Sequence, residues 1–199
     1  MKRIAAIILA AGSSGRMGSP KQLLPYNNST LLKNVLIPVS KLFPQSTYLV
    51  LGANADLIQA NIAPGDYRII LNTHWTNGMA GSVITGLQAA ANDFPDLDAV
   101  IFLAADQPYV TASHIASMVD SYLSTDKPII ASTYNGSIGV PALFDRKLFP
   151  ELEKLKGDAG ARQIINQAGE AVWSIPLANG HIDIDTPEQY KQLINKSGE

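Results

Sequence analysis

A chain of 199 residues with no cysteine can bury a full core, and it excludes a disulfide framework, a thiolate zinc site and a thiol nucleophile. Fifteen Lys+Arg against seventeen Asp+Glu leave a formal charge of −2, so no basic field invites nucleic acid. No run approaches eighteen consecutive apolar residues, so no membrane span is expected. In chain order, Lys2 and Arg3 ahead of "IAAIILAAG" imitate a signal peptide. The apolar run ends in a glycine-and-cation loop rather than a clear cleavage site, so residues 2–10 read as a buried first strand and the expected compartment is the cytoplasm. Helical periodicity follows over 31–43, with Pro38 predicting a kink or an early stop. Strands are expected at 47–52 and 68–72, a helix at 80–94, a strand at 98–104 and a helix at 112–123. A strand at 128–133, a helix at 158–168, a strand at 171–175 and a helix at 187–195 complete the pattern. "NGSIGVPALF" reads as a turn and extended arm.

Runs apolar on both faces, such as "IAAIIL" and "AVIFLA", mark a sheet covered on two sides. Alternating strands and helices then predict a single-domain, three-layer α/β/α fold over 1–199 with a mostly parallel, Rossmann-like sheet. Ligands in such folds gather at the carboxyl ends of the strands. Three segments fall there: "LAAGSSGRMGSPK" at 9–21, "NTHWTNGMAGS" at 72–82 and "ADQP" at 105–108.

The glycine loop fits neither standard phosphate motif. A Walker A loop needs Lys directly after its last glycine, whereas here Ser19 and Pro20 intervene. The dinucleotide fingerprint needs G-x-G-x-x-G opening into a helix, whereas this loop spaces Gly12, Gly15 and Gly18 as G-x-x-G-x-x-G. What remains is a long loop with free backbone N–H groups and with Arg16 and Lys21 as anion ligands. Asp106, just past "AVIFLA", is a hard oxygen donor suited to Mg²⁺ shared with substrate phosphates, or else a turn-starting Asp. In "DIDTPEQY", alternation puts Asp183 and Asp185 on one face with Ile184 opposite. Asp185 with Glu188 reads as a capping-box-like helix start, with Pro187 in the first turn; a second metal ligand is the alternative.

"LAAGSSGRMGSPKQLLP", "NGMAGSVITGL", "FLAADQP", "GVPALF", "GDAGAR" and "DIDTPEQY" together resemble the molybdenum cofactor cytidylyltransferase family, within the nucleotidyltransferases of glycosyltransferase-A (nucleotide-diphospho-sugar transferase) type fold. The resemblance spans nearly the whole chain in the family's order. It implies that backbone around Leu9, Ala10, Ala11 and Gly12 holds the base, that Gly15 belongs to the nucleotide loop, and that Arg16 and Lys21 grip the triphosphate. Gly78 and Ser82 would touch the nucleoside, and Asp106 and Asp185 would coordinate Mg²⁺, with Asp183 the competing choice for the second ligand. Arg16, Lys21 and Asp106 would carry catalysis. Guanylyltransferase relatives typically read "LAGG" where this chain has "LAAG", so Ala11 leans toward CTP.

The implied reaction is attack of the molybdopterin terminal phosphate on the α-phosphorus of CTP, with pyrophosphate leaving. A molybdoenzyme client would receive the product. Alternatives are another nucleotide such as GTP, another phosphorylated acceptor such as a sugar phosphate, or a non-catalytic carrier of the cofactor. On the acceptor side, Trp75 either stacks on a planar pterin or packs into the fold, beside an incidental His74. Asp158 reads as a helix cap and Arg162 as a helical cation; the resemblance places their segment near the acceptor, with Gly139 and Pro141 shaping the same pocket. His114 and His181 have no partner at metal-ligand spacing and read as ordinary residues.

Overall fold

The computed structural model describes residues 2–197. Its strands are β1 (Ile4–Ala10), β2 (Pro25–Tyr26), β3 (Ser29–Thr30), β4 (Thr47–Leu51), β5 (Arg68–Leu71), β6 (Ala99–Ala104), β7 (Ile129–Tyr134), β8 (Ser137–Asp145) and β9 (Val172–Pro176). Its helices are α1 (Leu31–Leu42), α2 (Ala55–Asn61), α3 (Met79–Asp93), α4 (Ala112–Ser124), α5 (Phe149–Leu152), α6 (Arg162–Ala168) and α7 (Pro187–Ser197). Seven strands form one sheet in the order β5-β4-β1-β6-β8-β7-β9, and β2 pairs with β3 in a separate small hairpin. Within the large sheet only β8 runs antiparallel to its neighbours.

Alternation along the central strands assigns each side chain to a layer. In β1, Ile4, Ala6 and Ile8 pack with Leu32, Val35 and Leu36 of α1 and Ile115 and Met118 of α4. Ala5 and Ile7 face the opposite layer, with Val83 and Leu87 of α3 and Ile164 and Ile165 of α6. A strand buried on both faces needs apolar residues at every position, which is why "IAAIIL" and "AVIFLA" carry no polar alternation. A third cluster joins Tyr26 and Leu31 to Ile184 and Leu193, tying α7 and the segment before it to the small hairpin.

Several expectations are corrected. The "NGSIGVPALF" segment is not an arm: it contains most of β8, paired antiparallel to both β6 and β7. Asn135 and Gly136 both have positive φ (46° and 70°), so the two-residue Asn-Gly loop makes the turn whose twist matches the flanking strands. Helix α1 does not stop early at Pro38 but runs through it to Leu42, held by an apolar face that outweighs one missing N–H. Asp158 caps nothing, because α6 begins at Arg162 rather than at 158. The short helices α2 and α5 lie outside the expected pattern.

Candidate active site

Parallel β1, β5 and β6 deliver their following loops to one edge of the sheet. There a cleft of about 590 Å³ is lined by the backbone run Leu9 to Ser13, by Lys21 and Gln22, by Trp75, Gly78 and Ser82, and by Asp106 and Arg162. Of the residues singled out from sequence, Leu9, Ala10, Ala11, Gly12, Lys21, Gly78, Ser82 and Asp106 all line it. Gly15 sits on the exposed outer turn of the loop, outside that lining, and Arg16 projects outward with its side chain 72% exposed.

Lys21 is the hub. It opens a single 3-10 turn, Lys21–Leu23, directly after Pro20, which ends the glycine loop. Its ammonium donates to Asp106 Oδ2 at 2.5 Å and to Asp185 Oδ1 at 2.6 Å, and Arg16 Nη2 donates to Asp185 Oδ2 at 2.7 Å. Two carboxylates 79 positions apart in the chain therefore meet at one cation. Burial alone would pull the Lys21 pKa down, but Asp106 and Asp185 outweigh it and hold the ammonium above its ordinary value. Burial likewise works to raise Asp185, yet Lys21 and Arg16 hold its carboxyl below the usual range.

Asp183 joins the same cluster from the other side. Its residue is exposed, while the carboxyl is partly desolvated and faces the negative charges of Asp106 and Asp185. Burial and then these charges push its pKa up to about 6. The segment carrying both acids is not a regular strand. It is fixed by fully buried Ile184, whose N–H donates to Asp106 O at 3.1 Å, so its two acidic neighbours turn together toward Lys21 and Asp106. Asp185 is also free of the capping role that sequence suggested. Thr186 Oγ1 accepts from Gln189 N, and Gln189 Oε1 accepts from the N–H groups of Asp185 and Thr186, so the reciprocal cap is Thr186 with Gln189.

The opposite wall is organised by Asn72, to which the sequence reading gave no role. Buried Asn72 donates from Nδ2 to Ser82 Oγ (3.0 Å) and accepts from His74 N (3.0 Å), which fixes the turn through Trp75 to Gly78. Gly78 has φ +99°, and a Cβ there would stand 2.3 Å from Gly157 O, so this wall packs backbone to backbone against the "GDAGAR" segment. Trp75 is half-buried, packed against the Gly52 backbone, with part of its side chain lining the cleft. His74 is exposed. His114 is buried on the far side of the sheet; its Nε2 bonds Ser132 Oγ at 2.8 Å, and Ser132 Oγ donates to Pro141 O. Gln22, 2% exposed beneath the glycine loop, was also missed; a lone polar residue opening "QLLP" was the only signal.

The cluster suits a divalent cation in its donor chemistry. Asp106 and Asp185 are hard oxygen donors already gathered around a positive charge, with the Lys21 ammonium as the stand-in. Among the described residues, no group of three or more His, Cys, Asp or Glu is arranged to hold a metal alone. Further oxygen ligands would have to come from a substrate, as is common for Mg²⁺.

The model of the MobA-like NTP transferase domain matches residues 6–172. The chain belongs to this family. It is a nucleotidyltransferase domain. The chain is 31% identical to nicotine blue oxidoreductase of Paenarthrobacter nicotinovorans over 96% of each chain. It is 27% identical to a probable molybdenum cofactor guanylyltransferase of Natranaerobius thermophilus, over 66% of this chain and 62% of that one. Among solved structures, Rv0371c of Mycobacterium tuberculosis H37Rv superposes with a TM-score of 0.83 at 28% identity, over 98% of both chains. A complex of Rv0371c with manganese gives 0.77 at 27% identity, over 98% of this chain and 99% of that one.

Proposed function

We propose that this MobA-like domain transfers CMP from CTP to the terminal phosphate of a molybdopterin-type cofactor and releases pyrophosphate, with Mg²⁺ as the working metal. The observation that carries the reading is the convergence of Lys21, Asp106 and Asp185, with Arg16 at the rim, beside a backbone-lined cleft. Asp106 and Asp185 would hold the metal, which would supply neutralisation of phosphate charge. Lys21 and Arg16 grip the triphosphate, and the Leu9 to Gly12 backbone with Gly78 and Ser82 receives the nucleoside. An acceptor phosphate is already an anion at neutral pH, so no protein nucleophile is needed, and alignment with charge neutralisation supplies the acceleration. The relative named for a guanylyltransferase makes GTP the rival donor and supports the molybdopterin acceptor.

A second reading follows the relative named for an oxidoreductase, which shares 31% identity over 96% of each chain. Against it stands the glycine register, which departs from the dinucleotide fingerprint. The test is pyrophosphate release with Mg²⁺ and each of CTP, GTP, ATP and UTP, with and without molybdopterin cofactor, alongside oxidation of NADH and NADPH. Acceptor-dependent release with CTP is expected. Release with GTP, release with a sugar phosphate in place of the pterin, or nicotinamide oxidation without release would each replace the proposal by the corresponding rival. Binding of CTP or cofactor without turnover would make the protein a carrier.

A further inference from the structure

Gln22 lies under the glycine loop and uses its whole amide on it. Nε2 donates to Ala10 O at 3.0 Å and to Gly12 O at 3.3 Å, while Oε1 accepts from Ser14 Oγ at 3.3 Å. Ser14 Oγ in turn accepts from Lys21 N at 3.1 Å, which joins the clasp to the residue that holds the two carboxylates. The intervening carbonyl, Ala11 O, accepts from Ala53 N at 3.0 Å. Three successive carbonyls at the floor of the cleft are thus engaged within the chain.

The peptide bonds here are trans, so each N–H points opposite to the carbonyl of its own plane. The carbonyls of Ala10 and Gly12 turn inward to a side chain that is 2% exposed. The N–H groups sharing those planes, of Ala11 and Ser13, therefore turn away from the Gln22 amide, and both residues line the cleft. Among the described residues neither N–H has a backbone or side-chain acceptor.

We propose that Gln22 is a positioning residue for nucleobase choice: by occupying the carbonyls it leaves the loop to meet the base with donors only. This rests on the cytidylyl-transfer reading and supplies it with a physical basis in the cleft. Donors match an edge that offers acceptors, as cytosine does through O2 and N3. Guanine places its N1–H and N2–H groups on its Watson–Crick edge, donor against donor, and its adjacent acceptors O6 and N7 lie on a different edge. A desolvated donor without a partner is costly, so the pattern favours cytosine over guanine presented by its Watson–Crick edge.

The experiment compares Gln22→Leu and Gln22→Glu with the wild type by calorimetric titration of CTP, GTP and inorganic tripolyphosphate in Mg²⁺. Gln22→Glu keeps the shape of the side chain, but its carboxylate cannot donate to either carbonyl. Both variants are expected to lose CTP affinity by about tenfold or more and to lose the CTP preference, while tripolyphosphate affinity stays within about twofold. Tripolyphosphate reports the grip of Lys21 and Arg16 and serves as the folded-state control. A parallel fall in tripolyphosphate affinity would show that the clasp merely supports the loop, and an unchanged CTP-to-GTP ratio would show that it does not set base choice; either overturns the inference. A wild type without CTP preference overturns the cytidylyl reading itself, which separates that failure from the failure of Gln22.

Discussion

Replacing Lys21 by Met is expected to move two measurements in opposite directions. Its ammonium stands 2.5 Å from Asp106 and 2.6 Å from Asp185, with side-chain exposures of 15%, 18% and 32% for the three groups. At an effective dielectric of about 20, each contact is worth roughly 6 kcal/mol in gross Coulomb attraction, most of it offset by desolvation. Exposed pairs yield about 0.5 kcal/mol and fully buried ones cost about 3–5 kcal/mol to break, so partial burial here places the net near 2 kcal/mol. A divalent cation arriving without nucleotide must displace that ammonium from the same oxygens. Removing it therefore raises the affinity for bare Mn²⁺ by about 30-fold, the equivalent of 2 kcal/mol. With CTP and acceptor present, the same variant loses a preorganised phosphate ligand, and pyrophosphate release falls by about 100-fold or more. Mn²⁺ binding followed by electron paramagnetic resonance and a coupled pyrophosphate assay read the two effects. A folded Lys21→Met protein whose Mn²⁺ affinity is unchanged or lower refutes the idea that lysine and metal share one site.

Arg16→Ala, at a guanidinium whose side chain is 72% exposed, should leave the melting temperature in place while raising the KM for nucleotide about tenfold; a stability loss without a KM change would count against a phosphate role. Gly78→Ala should destabilise by about 2–4 kcal/mol, because the new Cβ meets Gly157 O at 2.3 Å and the φ of +99° strains any side chain. An unchanged urea midpoint would mean that the 157–158 segment yields easily. Burial holds the His114 pKa below the ordinary imidazole value. As pH falls, the unfolded chain is therefore protonated first, so this contribution to stability is complete above about pH 6.5 and is lost as pH drops toward the depressed folded value. His114→Asn should flatten the urea midpoint between pH 5 and 7 relative to wild type, and an equal slope in both proteins would exclude His114 as the source.

The layered core was legible because burial on two faces leaves a blunt mark. Strands β1 and β6 are apolar at every position, and no helix of that length would lack a polar face at the surface. Strand β8 was misread although its signal was present: Asn135-Gly136 between two apolar runs is a strong short-range hairpin cue. Gly139 and Pro141 blur that signal, because Pro cannot donate to a ladder and a glycine weakens a strand. The register breaks between Ala131 and Ser132, which lets β8 carry Val140 and Pro141 past β7 while Gly139 stays opposite Ser132. Helix α2 has seven residues and one buried side chain, too little periodicity to separate it from a loop.

The site divides along a different line, between residues that act by charge and residues that act by holding backbone. Arg16, Lys21, Asp106 and Asp185 are conspicuous because a charge beside an apolar strand or a glycine loop needs a reason to be there. Period-2 alternation even placed Asp183 and Asp185 together without a strand, since one fully buried residue, Ile184, imposes the same geometry as a ladder would. Alternation cannot rank the two acids, however, because it treats them alike. Their surroundings separate them: Asp185 faces two cations and stays ionised, whereas Asp183 faces two anions and sits near 6. A divalent cation would favour the carboxylate that is already charged and already paired with a cation it can replace, so the proposed function takes Asp185 as the partner of Asp106. Gln22 and Asn72 had no such mark. Each is a neutral amide whose work is to occupy backbone or hydroxyl groups, and that role appears only when the carbonyls it claims are brought to it by the fold.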